Sequence, residues 1–257
     1  MENEQLEQRI ALFIDCDNAS VKAIYGIMEE LAKYGETGIR RAYGNWKEKN
    51  PWEEVLHDYA IQPFQQFPYT KGKNATDMAM AIDVMDTLYS EDIDVFAIVS
   101  SDSDFTPLAM KLRAKSKFVI GFGEEKTPSP FIHSCNLFVF TDKLGEMAEM
   151  DGMPEIAEPK DEKKDKKKLR SDTKLMNAIR QAIAESKDDD DWALAAKVSQ
   201  QISRRTSMSP KNFGYSTWPK LIHATESFEE RKNSKGHQEF RLKTKASSEK
   251  PNEKSSK

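Results

Sequence analysis

The chain has little cysteine and histidine and no long apolar run, and each shortage removes a class of protein. Two cysteines among 257 residues, Cys16 and Cys135, lack metal-ligand spacing and cannot build a disulfide framework. A reduced, cytoplasmic location is the expectation. No stretch approaches the roughly 18 consecutive apolar residues that a membrane helix needs, so no membrane partner is expected. The N-terminus is polar and acidic, unlike a signal peptide with its basic start and apolar run. His57, His133, His223 and His237 are scattered, and no Gly-rich phosphate loop, Ser-His-Asp order or internal repeat is present.

What is there divides by charge. Residues 1–150 carry 15 Lys and Arg against 25 Asp and Glu, a net of −10. The remainder carries 24 against 18, a net of +6. A basic half attracts a polyphosphate partner, although a basic solvated tail has the same balance.

From residue 10 to 140, short apolar runs alternate with helical patterns. Strands are predicted at 10–15, 38–43, 60–64, 94–100, 118–121 and 137–140, with helices near 21–34, 51–58, 77–89, 106–115 and 130–134. The runs Ile10-Ala11-Leu12-Phe13-Ile14 and Val95-Phe96-Ala97-Ile98-Val99 are apolar on both faces. Strands of a parallel sheet covered by helices on both sides read this way. The expectation is an α/β fold with a doubly wound, mostly parallel sheet over residues 1–150.

Residues 151–168, with Pro154, Pro159 and a run of Asp, Glu and Lys, read as a charged flexible linker. Over 169–245, three amphipathic segments carry Leu175–Ile179–Ile183, Val198–Ile202 and Trp218–Leu221–Ile222. A hairpin turning at Asn233-Ser234-Lys235-Gly236 follows. Three helices and a hairpin describe a small C-terminal winged-helix domain. Residues 246–257 read as a disordered tail.

Two of the buried strands run straight into aspartates. One ends Ile14-Asp15-Cys16-Asp17-Asn18, the other Val99-Ser100-Ser101-Asp102-Ser103-Asp104. In an open α/β sheet, ligands bind beyond the carboxyl ends of strands near the topological switch point. If these strands are neighbours, Asp15, Asp102 and Asp104 converge on one edge. Asp77 sits in the first turn of the 77–89 helix, where Asn74 or Thr76 can cap, and leans toward the sheet. Asp83 lies well round that helix. A single aspartate after a strand is often a turn or cap residue; two clusters ending two buried strands are harder to assign to turns. Several carboxylates share a pocket only where a cation offsets their repulsion. Oxygen-only ligation favours Mg2+ or Mn2+.

Three motifs in this order resemble the NYN family of PIN-like nucleases, in its bacterial LabA-like branch, over about residues 8–145. They are Phe13-Ile14-Asp15-x-Asp17-Asn18, then Lys73-Asn74-x-x-Asp77-x-x-x-Ala81-x-Asp83, then Ser100-Ser101-Asp102-Ser103-Asp104-Phe105. The resemblance implies a metal-dependent ribonuclease with catalytic Asp15, Asp77, Asp102 and Asp104. Of these Asp15, Asp77 and Asp102 hold the metal, with Asn18, Asp17 and Asp83 in support. Residues 210–222, around Phe213-Gly214-Tyr215, resemble the OST-HTH or LOTUS domain. That resemblance implies binding of RNA, often G-rich, or docking to a protein partner. Candidate RNA contacts are Lys71 and Lys73 beside Asp77, and Lys211, Phe213, Gly214, Tyr215, Lys220, Arg231, Lys232, Lys235 and Arg241 in the C-terminal half.

Two other readings remain at this point. Asp15-x-Asp17 after an apolar strand also resembles the haloacid-dehalogenase phosphatases, which leaves Asp77 without a role. The other is an RNA-binding regulatory adaptor without catalysis. The sequence does not define the oligomeric state.

Overall fold

The computed structural model describes residues 8–47, 49–65, 74–144, 162–188 and 190–243, with the backbone alone for 162–165. Lys71, Lys73, the stretch 145–161 and the tail 246–257 lie outside the described residues. The chain forms two compact units. Unit 1 comprises residues 1–155 and Ser207–Gly214, and unit 2 comprises 156–206 and 215–257. Residues 207–214 therefore group with unit 1, although they lie inside the interval 169–245 expected as one domain.

Unit 1 is a six-stranded, wholly parallel sheet. Its strands are β1 (Gln8–Asp15), β2 (Gly35–Gly44), β3 (Gln62–Gln65), β4 (Val95–Val99), β5 (Phe118–Gly123) and β6 (Leu137–Phe140). They are ordered β3-β2-β1-β4-β5-β6. The helices are α1 (Ile24–Leu31), α2 (Glu53–Leu56), α3 (Ala75–Ser90), α4 (Thr106–Ala114) and α5 (Ser129–Ser134). The sheet is buried on both faces, as its two-sided apolar strands predict. Ile10, Leu12 and Ile14 of β1 join Ile27 and Leu31 of α1 on one face. Ala11 and Phe13 meet Met80 and Val84 of α3 and Leu112 of α4 on the other. Phe13 and Phe96 stack across β1 and β4 with centroids 6.2 Å apart.

Chain direction across the sheet reverses at β1. β2 and β3 are laid to one side of it, and β4, β5 and β6 to the other. Adjacent strands whose connections leave on opposite sides open a crevice at their carboxyl ends. Here that crevice lies between Asp15, the last residue of β1, and Ser100, the first after β4.

β6 is bordered by the 207–214 stretch. Phe138 N donates to Ser207 O at 2.9 Å. The Asn212 side chain donates from Nδ2 to Phe138 O and accepts at Oδ1 from Phe140 N, at 2.9 and 3.0 Å. One amide thus satisfies two of the polar groups that the edge strand leaves open, and the Ser207 carbonyl a third.

Unit 2 contains α6 (Glu162–Ser171), α7 (Thr173–Ser186), α8 (Ala195–Arg205) and α9 (Trp218–Thr225). Its antiparallel sheet has β7 (Ala193–Leu194), β8 (Phe228–Lys232) and β9 (Gln238–Leu242) in the order β7-β9-β8. The expected helices and hairpin are there. Asp172 caps α7 by accepting from Leu175 N, and Pro219 occupies the first turn of α9, where its missing N–H costs nothing. The turn closes through Asn233 N to His237 O at 2.9 Å, with Gly236 at φ 79°.

One expectation needs correction: the charged run at 162–168 is helix, not linker. Lys166 and Arg170 both pair with Glu226, and Arg170 Nε also donates to Thr225 O at 2.6 Å, closing the C-terminus of α9. Leu169 is buried. One apolar residue and two bridging cations suffice to fix a helix that its composition alone reads as solvated.

Candidate active site

β1 delivers Asp15 to the α3 face of the sheet, in phase with Ala11 and Phe13. Its carboxylate has no solvent exposure. Four donors hold it. Oδ1 accepts from the backbone amides of Asp17 and Asn18, at 3.1 and 3.3 Å. Oδ2 accepts from Asn18 Nδ2 at 3.0 Å and Ser100 Oγ at 2.7 Å. Burial nonetheless raises its pKa above the ordinary value, and these donors only partly offset that.

Ser100 ties the two strand ends together. Its hydroxyl donates to Asp15 and accepts from Asp102 N at 3.0 Å. β5 approaches closely here: a Cβ on Gly123 would lie 2.7 Å from Ser100 O, so only glycine fits. Asp102 Oδ1 accepts from Asp104 N at 2.8 Å, closing a short 3-10 turn over 103–105. Asp102 thus serves as a turn cap with one oxygen and leaves the other free of a described donor.

Asn74, expected with Thr76 as a candidate cap, makes no side-chain cap for α3; its Nδ2 reaches Asp104 Oδ2 at 3.0 Å instead. That contact pins the start of α3 to the loop after β4. Asp77 lies one turn further, half-buried, with no hydrogen bond among the described residues. Its pKa is pushed up to about 6, first by burial and then by the negative charges of Asp15, Asp102, Asp17 and Asp104. Four carboxylates from two chain segments therefore act electrostatically on a fifth from a third segment.

The spacing is looser than a closed metal centre. Among the described residues, no three His, Cys, Asp or Glu side chains are gathered tightly enough to hold one metal ion. In kind the donor set fits a hard divalent cation, being oxygen alone with no thiolate or imidazole. Both cysteines are buried with raised thiol pKa values, and neither belongs to this edge's chemistry.

Asp83 is committed elsewhere. Its Oδ1 accepts from Arg41 at 2.7 Å, and its other oxygen accepts from the Tyr43 hydroxyl. The motif position is filled by a partly buried ion pair that braces α3 on β2. Sequence reasoning missed the roles of Ser100, Arg41 and Tyr43. Ser100 stood inside a quoted motif, and a hydroxyl preceding two acids was the available signal. Arg41 and Tyr43 lie some forty residues from Asp83 and carried none.

The candidate RNA contacts separate in the same way. Lys211 is buried in unit 1, with its ammonium 3.3 Å from Glu30 and 3.8 Å from Glu29. Phe213 is half-buried there, ahead of the exposed Gly214 at φ 81°. Tyr215 is half-buried in unit 2. Arg231 and Arg241 lie on the Trp192 ring, 4.3 and 4.6 Å from its centroid, and pair with Glu239 and Glu229. Both guanidinium groups are neutralised within the hairpin. Lys220, Lys232 and Lys235 are exposed, and their ammonium groups have no partner among the described residues.

The architecture defines a class: an open parallel α/β domain whose acidic residues sit at the switch point of the sheet. The NYN domain family model matches residues 9–144, more than half of the chain, and the chain belongs to that family, within the PIN-like nuclease superfamily. The model of the OST-HTH/LOTUS domain matches residues 169–240.

An uncharacterized protein of Methanocaldococcus jannaschii is 29% identical over 149 residues, a match that takes in 56% of this chain. The chain spans 59% of that relative's length. A crystal structure of a protein of unknown function from Vibrio parahaemolyticus is similar to 55% of this chain and 96% of its own, with 18% identity and a TM-score of 0.43. At that level it carries no argument. No helix among the described residues is long and apolar enough to cross a membrane.

Proposed function

We propose that the protein is a metal-dependent ribonuclease, cutting RNA at the Asp15–Asp77–Asp102 edge and capturing it through the LOTUS domain. The observation that carries the reading is Asp77. A half-buried carboxyl whose pKa is raised to about 6, by burial first and then by four neighbouring acids, lacks the counter-charge that such a cluster demands. It stands at the switch point of a domain from a nuclease superfamily.

In this reading Asp15, Asp77 and Asp102 hold Mg2+ or Mn2+, which supplies positive charge for the scissile phosphate and a lowered pKa for the attacking water. Ser100 and Asn18 fix the Asp15 carboxylate so that it does not turn away. Asn74 holds Asp104 at the mouth, where it orients substrate and solvent. Asp77 and the free oxygen of Asp102 would have to turn inward to share the ion. Asp83 with Arg41 and Tyr43 keeps α3, and hence Asp77, in register with the sheet.

Most of the nuclease domain repels RNA by its charge. We assign attraction to Lys220, Lys232 and Lys235 of the LOTUS domain, three of the candidate contacts that have no partner among the described residues and can meet phosphate. Single-stranded RNA, including G-rich RNA, and a location in the cytoplasm belong to the same proposal.

A second reading has two observations in its favour: the Asp15 oxygens are fully engaged by protein donors, and no metal-sized group of ligands is closed among the described residues. The domain then binds RNA without cutting it. Purified protein incubated with labelled single-stranded RNA separates the two. Cleavage with Mn2+ or Mg2+, abolished by chelator and restored by the metal, supports the nuclease. Turnover that survives excess chelator rules out this mechanism, and binding without cleavage at any metal concentration selects the adaptor.

A further inference from the structure

Beside the acidic edge, unit 1 has a cleft of about 620 Å³ between α3 and the ends of β2 and β3. Its size falls in the range of sites that enclose small ligands, ~300–1,000 Å³. Tyr43, Phe64, Met78, Ile82 and Asp86 are among the residues that line it. The cleft adjoins the candidate site through the backbone. Tyr43 is the register partner of Asp15, Cys16 N donates to Tyr43 O at 2.9 Å, and Met78 follows Asp77 directly.

Three properties of the cleft point to one kind of occupant. Its floor is aromatic: the Tyr43 and Phe64 rings stack with centroids 5.3 Å apart, and the Arg41 guanidinium lies 5.5 Å from the Phe64 centroid. Its helical wall exposes apolar side chains, Met78 and Ile82, each 63% accessible. Standing one helical turn apart, they line the cleft together with Phe64 and give it an apolar surface that a flat ring can cover. Its polar groups, finally, are the carboxylates of Asp83 and Asp86, the Gln65 amide and the Tyr43 hydroxyl. Asp83 is saturated by Arg41 and Tyr43, and the Gln65 amide accepts from Trp46 N and donates to Asn45, whereas Asp86 is exposed and has no hydrogen bond or ion pair among the described residues. That open carboxylate disfavours a phosphate and suits a ring that presents N–H donors.

We infer that this cleft holds one unpaired nucleobase of the RNA, an amino-bearing base with its donor edge toward Asp86, while the adjoining phosphate reaches the Asp15–Asp77 edge. The assignment rests on the nuclease reading for its substrate class and adds to it a base-binding subsite. Stacking is sequence-tolerant, and the Asp86 acceptor adds the discrimination: guanine, adenine and cytosine offer amino donors, and uracil offers none outside its ring.

The test uses the full chain with methyl-labelled methionine and isoleucine, followed by NMR as short trinucleotides carrying a central G or a central U are added in chelator. The Met78 and Ile82 methyl signals should shift, with tighter binding for G than for U. Ile82→Asp, at an exposed position, should weaken binding about tenfold or more. Asp86→Asn should bring the two trinucleotides closer in affinity without abolishing binding. Methyl signals unmoved at saturating trinucleotide overturn the subsite even if the protein cleaves RNA. Signals that move with protein concentration alone overturn it in favour of a second copy of the chain. Shifted methyls in a protein that never cleaves RNA keep the subsite and overturn only the nuclease reading.

Discussion

Asp77→Asn should stabilise the metal-free protein at neutral pH. The wild-type carboxyl is raised from 3.8 to about 6 by burial and by Asp15, Asp102, Asp17 and Asp104. A raised carboxyl binds its proton more tightly in the folded state than in the unfolded state. Its favourable contribution is therefore fully present below about pH 3.8 and is lost as pH rises through about 6. At pH 7.5 the folded protein carries the whole electrostatic cost of the fifth charge. A shift of about 2 units corresponds to ~3 kcal/mol at most. Asp77 is only half-buried, and solvent screening reduces this to about 1 kcal/mol.

For a chain of this size, 1 kcal/mol moves Tm by about 2–4 °C. Thermal melts in chelator should place Asp77→Asn that far above wild type at pH 7.5. The gap should close as pH falls toward 4. Adding Mn2+ at pH 7.5 should raise the wild-type Tm and leave the variant nearly unmoved. A variant less stable than wild type at pH 7.5, or a gap independent of pH, refutes the electrostatic reasoning.

Other perturbations follow from single contacts. Ser100→Ala removes a donor from a carboxylate with no solvent exposure, so cleavage should fall at least about tenfold with a loss of about 1–3 kcal/mol in stability, read from kinetics and melts together. Asp83→Ala should destabilise the fold by about 1–3 kcal/mol by unpairing Arg41 and Tyr43, and calorimetry should show Mn2+ affinity weakened through the loosened α3 but far less than by Asp77→Asn. Lys211→Met should lower stability in denaturant melts and leave RNA affinity at fixed salt unchanged, because its ammonium is spent on Glu30. Replacing Lys220, Lys232 and Lys235 together by Glu should weaken RNA binding and flatten its salt dependence, and a salt slope equal to wild type contradicts that assignment.

The fold was legible where one physical constraint dominated. Runs such as Ile10–Ile14 and Val95–Val99 had to lie in a sheet covered on both faces, and each of their residues has no solvent exposure. Strand ends loaded with aspartate pointed to the carboxyl edge of the sheet, and the neighbouring of β1 and β4 brings those ends together. Long-range partners were not legible. Asp83 looks like another site acid until Arg41 and Tyr43, on a strand forty residues earlier, are seen to hold it. Lys211 reads as a surface cation in a basic stretch, yet it is buried against α1. Arg231 and Arg241 read as phosphate contacts because sequence does not show that Trp192 lies beneath both. Local charge patterns overstate how much of a basic segment is free, since each cation's partner is set by tertiary packing.

The central claim is that the acidic edge of unit 1 cuts RNA. Single-turnover cleavage of an end-labelled single-stranded RNA by wild type and Asp15→Asn, at saturating protein in Mn2+, tests it most directly because binding is removed from the comparison. The account predicts cleavage by wild type and a rate at least about a thousandfold lower for the variant, in keeping with loss of a group that positions a catalytic cation. Equal rates for the two proteins, with the fold of the variant intact, contradict it.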